Sequence, residues 1–401
     1  METYDVAIIG GGCVGCSVAY HLARNSELDI CVIEKEHHIA EHQSGRNSGV
    51  LHPGFNYPPG SLKAQFATEG TQRMKKYFDA NDLPLEELGV LVVATDYEER
   101  RRLTEIQEQA TENGVETKLL EGQGEIREYE PHAVGEAALY CPEAASVDSQ
   151  KYVYSLAGDA ENRGVDFFTG YTVKAIHTSG DTHHIRTSNG TITSSYLVNT
   201  AGLYADKLAH KMGVGNEYQI VPFRGEYYEL VPEKRHLVQS MIYPTPDPEL
   251  PFLGVHYTRR TDDKVIIGPN AVLAFGREAY ENTQFEISEV LDTLGYEGFW
   301  KLFTSLKMIN VGITELNKSY RKTAFVNAAQ KLLPEVEPND FRKSYAGIRA
   351  QIVRDDGKLI KDPLFEHGSR STHVLNAVSP GLTSSLPFGD HLAGEILDRF
   401  E

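Results

Sequence analysis

Length, composition and charge already narrow the possible classes of protein. The chain has 401 residues and a formal net charge of -18 at pH 7, with 39 Lys and Arg residues against 57 Asp and Glu residues. It is long enough for about two or three domains, and its acidity argues against general binding to nucleic acid or to anionic membranes, because both need clustered Lys and Arg. An anionic substrate would therefore need a few local cations inside a pocket, where a low dielectric strengthens each contact.

Cysteine usage and the N-terminal residues indicate where the protein works. The four cysteines, Cys13, Cys16, Cys31 and Cys141, are too few to cross-link a chain of this length, which favours a reducing compartment. The chain passes from Met1 almost directly into the apolar run YDVAIIG, without the basic and apolar regions of a signal peptide. No uninterrupted apolar stretch approaches the roughly 18 residues of a membrane-spanning helix. We therefore expect a cytoplasmic protein that at most rests on the inner face of a membrane.

Residues 4–35 predict a strand, a glycine-rich turn, a helix and a second strand. The run YDVAIIG is typical of a buried strand of a parallel sheet, CVGCSVAYHLARNS has helical spacing, and DICVIEK is typical of a second buried strand. This order, within about 30 residues, is the context in which Gly10, Gly12 and Gly15 indicate a dinucleotide-binding turn. The glycines allow a tight turn, a close approach of the backbone to a pyrophosphate and close packing of helix on strand. Glu34 ends the second strand, where a carboxylate can accept hydrogen bonds from an adenosine ribose.

Cys13 and Cys16 allow a second interpretation of the same turn, as a redox-active CxxC pair. A helix N-terminus lowers the pKa of a thiol, which such pairs exploit. Both cysteines lie inside the predicted cradle, however, where a bound pyrophosphate would cover them and surround them with negative charge. We therefore expect them to be small packing residues.

Three downstream stretches bear on whether the dinucleotide carries nicotinamide or flavin. Residues 43–65 form a loop rich in Gly, Ser, Asn and Pro, which can line a bulky ring. Residues 197–209 predict a strand that breaks at Ala-Gly and becomes helical. Residues 376–397 predict a loop that opens a helix, with Thr383 and Ser384 among the candidate caps. The N-terminus of that helix supplies partial positive charge, which suits the electron-rich N1 and C2 carbonyl edge of a reduced flavin.

Motifs distributed over the whole chain point to a family. The glycine cradle and Glu34, together with HQSGRNSGVLHPG, FRGEYYEL, PFLGVHYTRR, GPNAVLAF, AGIRAQ and SPGLTSS, resemble the L-2-hydroxyglutarate dehydrogenase and oxidase family, which belongs to the D-amino-acid oxidase and glycine oxidase class of FAD enzymes. The resemblance extends from Tyr4 to about Leu397. Arg46 departs from it, because relatives often carry His there, and the glycine-rich SPGLTSS departs as well. Either difference could alter the flavin potential or the preferred electron acceptor.

The order of predicted helices and strands gives the fold class. We predict an α/β (α+β) protein with a Rossmann-like FAD-binding domain and a second, antiparallel β-sheet substrate domain. The FAD-binding domain is expected to be discontinuous, with segments 1–80, 145–215 and 340–401, and the substrate domain to comprise segments 81–144 and 216–339. The resemblance implies the same arrangement.

The resemblance also implies which residues contact FAD. Besides the three glycines and Glu34, they come from the loop after the second strand, from the strand end in NTAG and from the C-terminal loop; Val173 matches a position whose backbone meets adenine. They are Lys35, Ser44, Asn47, Ser48, Gly49, Val173, Ala201, Gly202, Gly381, Leu382, Thr383 and Ser384. We expect no metal ligands.

Oxidation of a 2-hydroxy acid requires a hydride acceptor and a base. The flavin N5 would take the hydride from C2, and a neutral histidine with a pKa near the working pH is the usual acceptor of the hydroxyl proton. His52, in the loop expected near the flavin, is the first candidate, and His256 in GVHYT is the second. Either histidine could instead be structural.

A dicarboxylate substrate points to arginine, which holds a carboxylate as a bidentate fork. Arg349 in AGIRAQ and Arg224 in PFRGEYYEL are the candidate clamps, although Arg224 can equally pair with a nearby Glu at the domain interface. Asn270 in GPNAVLAF is expected to hold either a loop or the substrate. Together with the resemblance, these residues predict FAD-dependent oxidation of L-2-hydroxyglutarate to 2-oxoglutarate.

Three other functions fit part of the pattern. An FAD amine or amino-acid oxidase of glycine or sarcosine type shares the cofactor and fold, but no cysteine follows Cys141, so a late cysteinyl-flavin bond cannot form. A non-catalytic flavin-binding protein and a nicotinamide dehydrogenase are the other two. The sequence does not decide whether oxygen, a quinone or another flavoprotein accepts the electrons.

A short aromatic stretch bears on membrane contact. In GFWKLFTSLKMI, the residues Phe299, Trp300, Phe303 and Leu306 fall on one helical stripe. Packing against the rest of the protein is the favoured interpretation, because an acidic chain is poorly suited to a membrane surface. A peripheral membrane contact is the alternative.

Overall fold

The computed structural model describes residues 3–247, 253–303, 319, 321–377 and 379–400. Its strands, in chain order, are β1 (Thr3–Ile9), β2 (Ile30–Glu34), β3 (Val50–Leu51), β4 (Leu85–Glu86), β5 (Val90–Ala94), β6 (Lys118–Glu121), β7 (Ala137–Cys141), β8 (Ala145–Val147), β9 (Asp166–Thr169), β10 (Val173–Ser179), β11 (Thr182–Thr187), β12 (Gly190–Asn199), β13 (Tyr218–Leu230), β14 (Met241–Pro244), β15 (His256–Arg259), β16 (Val265–Gly268), β17 (Val272–Leu273), β18 (Phe341–Arg354), β19 (Leu364–Gly368) and β20 (Ser371–Asn376). Its α-helices are α1 (Cys13–Asn25), α2 (Leu62–Ala80), α3 (Tyr97–Glu112), α4 (Gly122–Tyr129), α5 (Ser149–Glu161), α6 (Ala205–Lys211), α7 (Ile287–Gly295), α8 (Glu297–Leu302), α9 (Lys322–Gln330) and α10 (Ser385–Leu397). Short 3-10 helices occupy Gly202–Tyr204, Pro232–Leu237 and Pro338–Asp340.

The first sheet has eight strands and a parallel centre. β9, β2, β1 and β12 lie side by side in that order, all parallel, and β20 runs parallel to the C-terminal end of β12. β10 and β11 continue the sheet in antiparallel orientation, and β19 pairs with β20. The predicted order of strand, turn, helix and strand is confirmed, and with it the Rossmann-like sheet.

Helices cover this sheet because its central strands are apolar on both faces. Residues 6–9 of β1 and 30–33 of β2 are all buried, as expected for a parallel sheet. α1 connects these two strands and packs against α5 and α10. α10 contributes Phe388, Leu392 and Ile396 to their shared core, so the two ends of the chain meet on one face of the sheet.

The second sheet has nine strands, in the order β17, β13, β16, β15, β14, β5, β7 and β6, with β18 also paired to β13. Every pair is antiparallel except β14 with β5, which is parallel. The predicted antiparallel sheet is therefore confirmed, with one parallel pair that the sequence did not predict. The chain reaches β14 from β5 through a long excursion rather than a hairpin, so no tight turn fixes their relative direction.

The strand β18 changes the expected division of the chain. It lies within segment 340–401, which was assigned to the FAD-binding domain. In the structure it pairs with β13 along almost its whole length, from Arg354 opposite Tyr218 to Phe341 opposite Leu230. The assignment of this strand is corrected to the second sheet, while β19 and β20, which follow it, return to the first.

A third sheet of three short strands positions one predicted catalytic residue. β8 lies between β3 and β4 and is antiparallel to both. His52 follows directly after β3, so the small sheet fixes the start of its loop. Separately, none of the helices in the described ranges is both long and apolar enough to cross a lipid bilayer.

Candidate active site

Backbone crowding at the first turn explains the predicted glycines. Gly10 has a φ of +115°, and a Cβ atom built on it would lie 2.5 Å from the Thr200 carbonyl oxygen. A Cβ on Gly15 would lie 2.0 Å from the Gly10 carbonyl oxygen. A Cβ on Gly12 would lie 2.9 Å from Ser44 Oγ. Larger residues would therefore displace the turn through which a pyrophosphate approaches the first amides of α1.

The carboxylate of Glu34 lies at the rim of this turn. Its two oxygens accept hydrogen bonds from the backbone N–H groups of Gly11 at 2.8 Å and Glu36 at 2.9 Å. These bonds hold the side chain at the C-terminal end of β2, the position expected for a ribose contact. The glycine turn and this carboxylate together fit the adenosine diphosphate part of a dinucleotide.

The loop after β2 closes one wall of the cradle. Ser44 Oγ accepts a hydrogen bond from Cys13 N at 2.9 Å, which ties the loop to the first turn of α1. Asn47 Nδ2 donates to the Ser44 carbonyl at 2.7 Å, and Asn47 Oδ1 accepts from Gly49 N at 2.8 Å. Ser48 lies between them and is partly exposed. The structure thus brings these four predicted cofactor residues together at the cradle.

Ala201 and Gly202 follow the end of β12. Ala201 N donates to Asn199 Oδ1 at 3.2 Å. Gly202 has a φ of +53°, and its absent Cβ would lie 2.9 Å from Gln43 Oε1 in the loop after β2. Val173 begins β10 and packs, like Ala201, against the apolar cluster that β1 and β2 share. All three residues are therefore grouped around the two strands that carry the cradle.

The C-terminal loop, residues 379–384 before α10, also contacts the cradle. Cys13 Sγ lies 4.0 Å from the Gly381 carbonyl oxygen, next to the first turn of α1. Thr383 Oγ1 accepts a hydrogen bond from His52 N at 3.0 Å. One loop therefore contacts both the cradle and the residue predicted to be the base.

The start of α10 differs from the predicted capping. Ser384 immediately precedes the helix, but its side chain makes no capping hydrogen bond, and Thr383 donates its hydroxyl to the Val50 carbonyl at 3.4 Å. Ser385 Oγ donates to the Leu382 carbonyl at 2.7 Å. The prediction that Thr383 or Ser384 caps this helix is wrong, and the positive end of α10 keeps its capacity for an electron-rich ligand.

Lys35 is paired with protein carboxylates. Its ammonium group bonds to Glu36 and lies 2.6 Å from Glu278 Oε1 and 2.8 Å from His42 Nε2. Glu278 belongs to the segment expected in the substrate domain, so this ion pair joins the two parts of the chain. The structure thus gives the Lys35 side chain partners of its own, where the resemblance implied a cofactor contact.

Both predicted bases flank one tyrosine. The ring centroid of His52 lies 6.1 Å from that of Tyr243, and the ring centroid of His256 lies 4.3 Å from it. Burial lowers the pKa of His52 to about 4 and the pKa of His256 to about 3, so both imidazoles are neutral at pH 7. Two histidines that are far apart in the sequence are therefore brought to one place in the protonation state that a base requires.

The hydrogen bond of His256 fixes its tautomer. Its Nδ1 lies 2.8 Å from the Gly254 carbonyl oxygen, which can only accept, so Nδ1 carries the proton. Nε2 consequently keeps a lone pair that can accept a proton from a substrate hydroxyl.

The two predicted arginines lie on opposite faces of the β13–β18 pair. Arg349 stands opposite Phe223, whereas Arg224 stands opposite Ile348, and successive residues of a strand alternate between faces. Besides burial, the charge of Arg349 lowers the pKa of His256. Arg349 is therefore the arginine that the structure brings to the histidines.

Arg224 and Asn270 have structural partners. Arg224 is 3% exposed, donates to the Glu281 carbonyl at 3.1 Å and to Asn282, and its Nε lies 3.5 Å from Glu226 Oε1. Asn270 donates through Nδ2 to Glu226 Oε2 at 2.7 Å and accepts from Glu226 N at 2.8 Å. Arg224 as a substrate clamp is therefore corrected to a buried partner of Glu226, because the register turns it away from the face of Arg349. Asn270 holds the same glutamate.

An aromatic and cationic lining around the histidines escaped the sequence analysis. Burial raises the pKa of Tyr57, Tyr243 and Tyr345, and Tyr345 Oη donates to the Asn47 carbonyl at 2.7 Å. Lys63 Nζ lies 4.4 Å from the centroid of the Tyr57 ring. Lys63 falls in the predicted loop of residues 43–65, whereas in the structure it lies in the first turn of α2, where the helix dipole disfavours a cation.

The two cysteines of the cradle differ in exposure, because Cys16 is buried whereas Cys13 is partly exposed. Burial raises the pKa of both Cys13 and Cys16, and neither forms a disulfide. Cys16 is fully buried in an apolar cluster with Leu51 and Met74. These surroundings support the packing role and oppose a reactive thiolate.

The predicted aromatic stripe is only partly exposed. Phe299 is 6% exposed and packs with Val221, and Phe303 packs against the same cluster. Trp300 is 56% exposed. Leu306 lies outside the described residues. The described part of the stripe thus packs mainly against its own protein, with one aromatic ring left at the surface.

Comparison with known sequences identifies relatives along the whole chain. A family model described as FAD dependent oxidoreductase matches residues 5–395. The chain is 40% identical to a mitochondrial L-2-hydroxyglutarate dehydrogenase of Nematostella vectensis, with 100% of this chain and 91% of the relative covered. It is 38% identical to an L-2-hydroxyglutarate dehydrogenase of Indibacter alkaliphilus, with 99% of this chain and 100% of the relative covered.

Solved structures agree on the fold. L-alpha-glycerophosphate oxidase from Mycoplasma pneumoniae, solved with FAD bound, superimposes with a TM-score of 0.81 at 23% sequence identity, with 99% of this chain and 95% of that chain covered. The cradle, the carboxylate at its rim and the full-length match to the family model agree on FAD as the cofactor. The chain belongs to the FAD-dependent oxidoreductases and, within them, to the L-2-hydroxyglutarate dehydrogenase family.

Proposed function

We propose that this chain oxidises L-2-hydroxyglutarate to 2-oxoglutarate with FAD as cofactor. The observation that carries the proposal is the meeting of two neutral histidines and one arginine beside the C-terminal loop. The backbone N–H of His52 donates a hydrogen bond to Thr383 Oγ1, and the charge of Arg349 lowers the pKa of His256. Two relatives along the whole chain are L-2-hydroxyglutarate dehydrogenases, which supports the choice of substrate.

The protein side of the reaction follows from these residues. Bound FAD supplies the acceptor for the hydride that leaves C2 of the substrate. Arg349 binds a carboxylate of the substrate and so orients C2. The imidazole of His52, the first candidate, or of His256, the second, takes the hydroxyl proton while C2–OH becomes C2=O. Hydride and proton together account for the two electrons and two hydrogens lost by the substrate.

The low pKa values of the histidines fit this role once substrate is bound. A carboxylate near an imidazole favours its protonated form and raises its pKa. His52 and His256 would therefore remain unprotonated in the free enzyme and gain basicity when the anionic substrate enters. The buried tyrosines around them exclude water, which strengthens the attraction between Arg349 and the carboxylate.

An anaerobic absorbance spectrum tests the proposal. Purified holoenzyme should be yellow, and L-2-hydroxyglutarate should bleach the flavin bands, whereas the D form and glycine should not. Bleaching by glycine or sarcosine instead would support the amine-oxidase alternative. A yellow protein that no hydroxy acid or amine bleaches would contradict an enzymatic function and support a flavin-binding protein.

The electron acceptor is tested separately, by reoxidation. Oxygen, a quinone or another flavoprotein remain the three candidates for the second half-reaction. Mixing the anaerobically reduced enzyme with dissolved oxygen or with a soluble quinone, and following the return of the flavin bands, ranks the first two directly. Failure of both would favour a protein acceptor.

An apolar surface supports a peripheral membrane contact as the finer proposal on partners. The helix α7 turns its acidic side inward, where Lys207 lies 3.5 Å from Glu289 and 3.0 Å from Asp292. Its opposite side and its neighbours expose large apolar side chains. These are Phe285 at 66%, Ile287 at 65%, Leu291 at 63%, Leu294 at 42% and Trp300 at 56%. A cluster of large exposed apolar side chains suits contact with a neutral lipid interface.

Flotation with phosphatidylcholine vesicles tests the membrane contact. Wild-type protein should rise with the vesicles, and the double variant Ile287→Ser with Leu291→Ser should stay in solution while keeping its flavin. Tyr97→Ser, which alters an exposed aromatic residue on α3, is the matched control. Wild-type protein that does not float would contradict the contact.

We propose a reducing compartment, the cytoplasm, as the location. The four cysteines are free, which supports this proposal. The relative from Nematostella vectensis is named as mitochondrial, so fractionation of the native cells is the deciding measurement.

A further inference from the structure

Lys63 occupies a position that a helix disfavours for a cation. It lies in the first turn of α2, where the free N–H groups already give the helix a positive end. Ser61 caps the helix by accepting a hydrogen bond from Ala64 N at 3.1 Å. Among the described residues, no hydrogen bond or ion pair compensates the ammonium group of Lys63, which rests over the Tyr57 ring. The carboxylate of Asp362 acts on Lys63 from beyond ion-pair distance, so a bound anion would be a closer charged partner.

The environment of Lys63 also disfavours its charge. The pKa of this lysine is lowered to about 8, chiefly by burial; the charge of Asp362 opposes this effect and the charge of Lys361 adds to it. The cation in turn lowers the pKa of His52, after the larger effect of burial. Burial thus disfavours the charged form of Lys63 close to the candidate base. Such a lysine is a candidate for a functional role.

A small cavity beside Lys63 shows which loop this lysine faces. The cavity is small, about 10 Å³, and its lining includes Lys63, Gly381, Ser384 and Val14. Gly381 and Ser384 belong to the C-terminal loop at the positive end of α10, and Val14 belongs to the first turn of α1. Lys63 therefore places a full positive charge beside this loop, where the N-terminus of α10 already supplies a partial positive charge.

We propose that Lys63 is the cation that stabilises the negative charge of reduced FAD at its N1 and C2 carbonyl edge. Transfer of a hydride adds two electrons and one proton to the flavin, so the ring system gains a net negative charge, which resides at this edge. A cation there favours the reduced cofactor and so favours oxidation of the substrate. The inference rests on FAD binding and on the predicted contact of the C-terminal loop with the flavin, and it does not depend on which hydroxy acid is the substrate.

The competing role for Lys63 is to bind the second carboxylate of the substrate. In both roles the ammonium group of Lys63 binds an anion. The two roles differ in which measured property of the enzyme a substitution of Lys63 would change. A charge partner of the flavin alters the reduction potential of the resting holoenzyme, whereas a substrate clamp alters only the Michaelis constant.

Two equilibrium measurements on the holoenzyme without substrate test the proposal. The first is the two-electron reduction potential of bound FAD, and the second is the dissociation constant of sulfite, which adds to flavin and leaves the same edge negatively charged. In Lys63→Met, we expect the equilibrium for reduction to fall at least tenfold, or about 30 mV for a two-electron couple. The sulfite constant should rise by a similar factor, and Lys63→Arg should restore both values.

The exposed Lys76 on the same helix provides the matched control, because Lys76→Met removes an equal charge far from the cavity. It should leave both constants unchanged. The flavin-to-protein absorbance ratio confirms that each variant is loaded, and if Lys63→Met loses FAD, Lys63→Gln is measured in its place. Unchanged potential and sulfite binding in the charge-removed variant would overturn the proposal, and a raised Michaelis constant alone would assign Lys63 to the substrate.

Discussion

The cofactor cradle and the substrate side of the site are built in different ways. The cradle depends on backbone geometry over a few consecutive residues, where Gly10 and Gly15 leave space that no side chain can occupy. The substrate side depends on side chains from separate segments, since His52 follows a strand of the third sheet, whereas His256 and Arg349 lie on two different strands of the second sheet. A backbone site therefore tolerates almost no change at its glycines, whereas a side-chain site can lose one group and keep its shape.

The largest effect is expected at the cradle. In Gly15→Ala, the new Cβ would lie 2.0 Å from the Gly10 carbonyl oxygen, so the turn must move. We expect at least a tenfold loss of bound FAD, measured as the flavin-to-protein absorbance ratio. Gly158→Ala on α5 is the control, because nothing lies within 4 Å of its added Cβ. That variant should keep its flavin and change stability by about 1 kcal/mol or less, in the stabilising direction. Equal flavin content in both variants would remove the contrast between the two regions.

Removal of the base should leave the cradle intact. We expect His52→Ala to keep its flavin and to lower kcat by about 100-fold to 10,000-fold, the usual contribution of a general base. His177→Ala, at an exposed position of β10, should behave like the wild type. The low pKa of His52, about 4, means that kcat/KM of the free enzyme should be constant near neutrality and fall as the pH drops through about 4, where the imidazole becomes protonated. Near-normal turnover in His52→Ala would shift the assignment to His256.

The two arginines sharpen the comparison within the second sheet. Arg349→Lys should raise KM by about 10-fold to 100-fold, because loss of one charge-assisted hydrogen bond costs about 1.5–3 kcal/mol. Arg224→Met should instead lower the free energy of unfolding by about 3–5 kcal/mol, because it leaves Glu226 buried without its charged partner. Steady-state kinetics and urea unfolding of both variants separate the two roles. An increase in KM confined to the Arg224 variant would reverse our assignment.

The smallest effect is expected from the thiols of the cradle. The double variant Cys13→Ala with Cys16→Ala should keep its flavin and its turnover, and lose about 1 kcal/mol or less per site in stability. Denaturant midpoints and the anaerobic bleaching rate measure the two quantities. Collapse of turnover with flavin still bound would show that the redox interpretation of the CxxC pair is right.

The part of the molecule that could be predicted from the sequence is the part that is local. The strand, turn and helix of residues 4–35 follow from periodicity and three glycines, because the constraint acts between neighbours in the chain. The register of β13 against β18 is not local. A shift of β13 by one residue would have put Arg224 on the same face as Arg349, and nothing in either strand alone fixes the register.

The missed residues show a second limit. Lys63 and Tyr57 lie in the loop that was expected to line the flavin, but their importance comes from how that loop folds against Gly381 and Ser384. Likewise, a surface helix usually turns its apolar face towards the core, and sequence alone does not reveal that α7 is an exception. In the structure, Glu289 and Asp292 of α7 pair with Lys207. Ile287 and Leu291, on the other side of the helix, are exposed to solvent.

The packing of α1 against α10 has a consequence for biosynthesis. The cradle leaves the ribosome well before β20 of the first sheet and before α10, the helix that covers α1, because both lie far downstream in the chain. We therefore expect stable retention of flavin only after translation has passed α10. A prematurely terminated chain would present the uncovered apolar face of α1 to chaperones and proteases, which couples quality control of this enzyme to completion of its C-terminal helix.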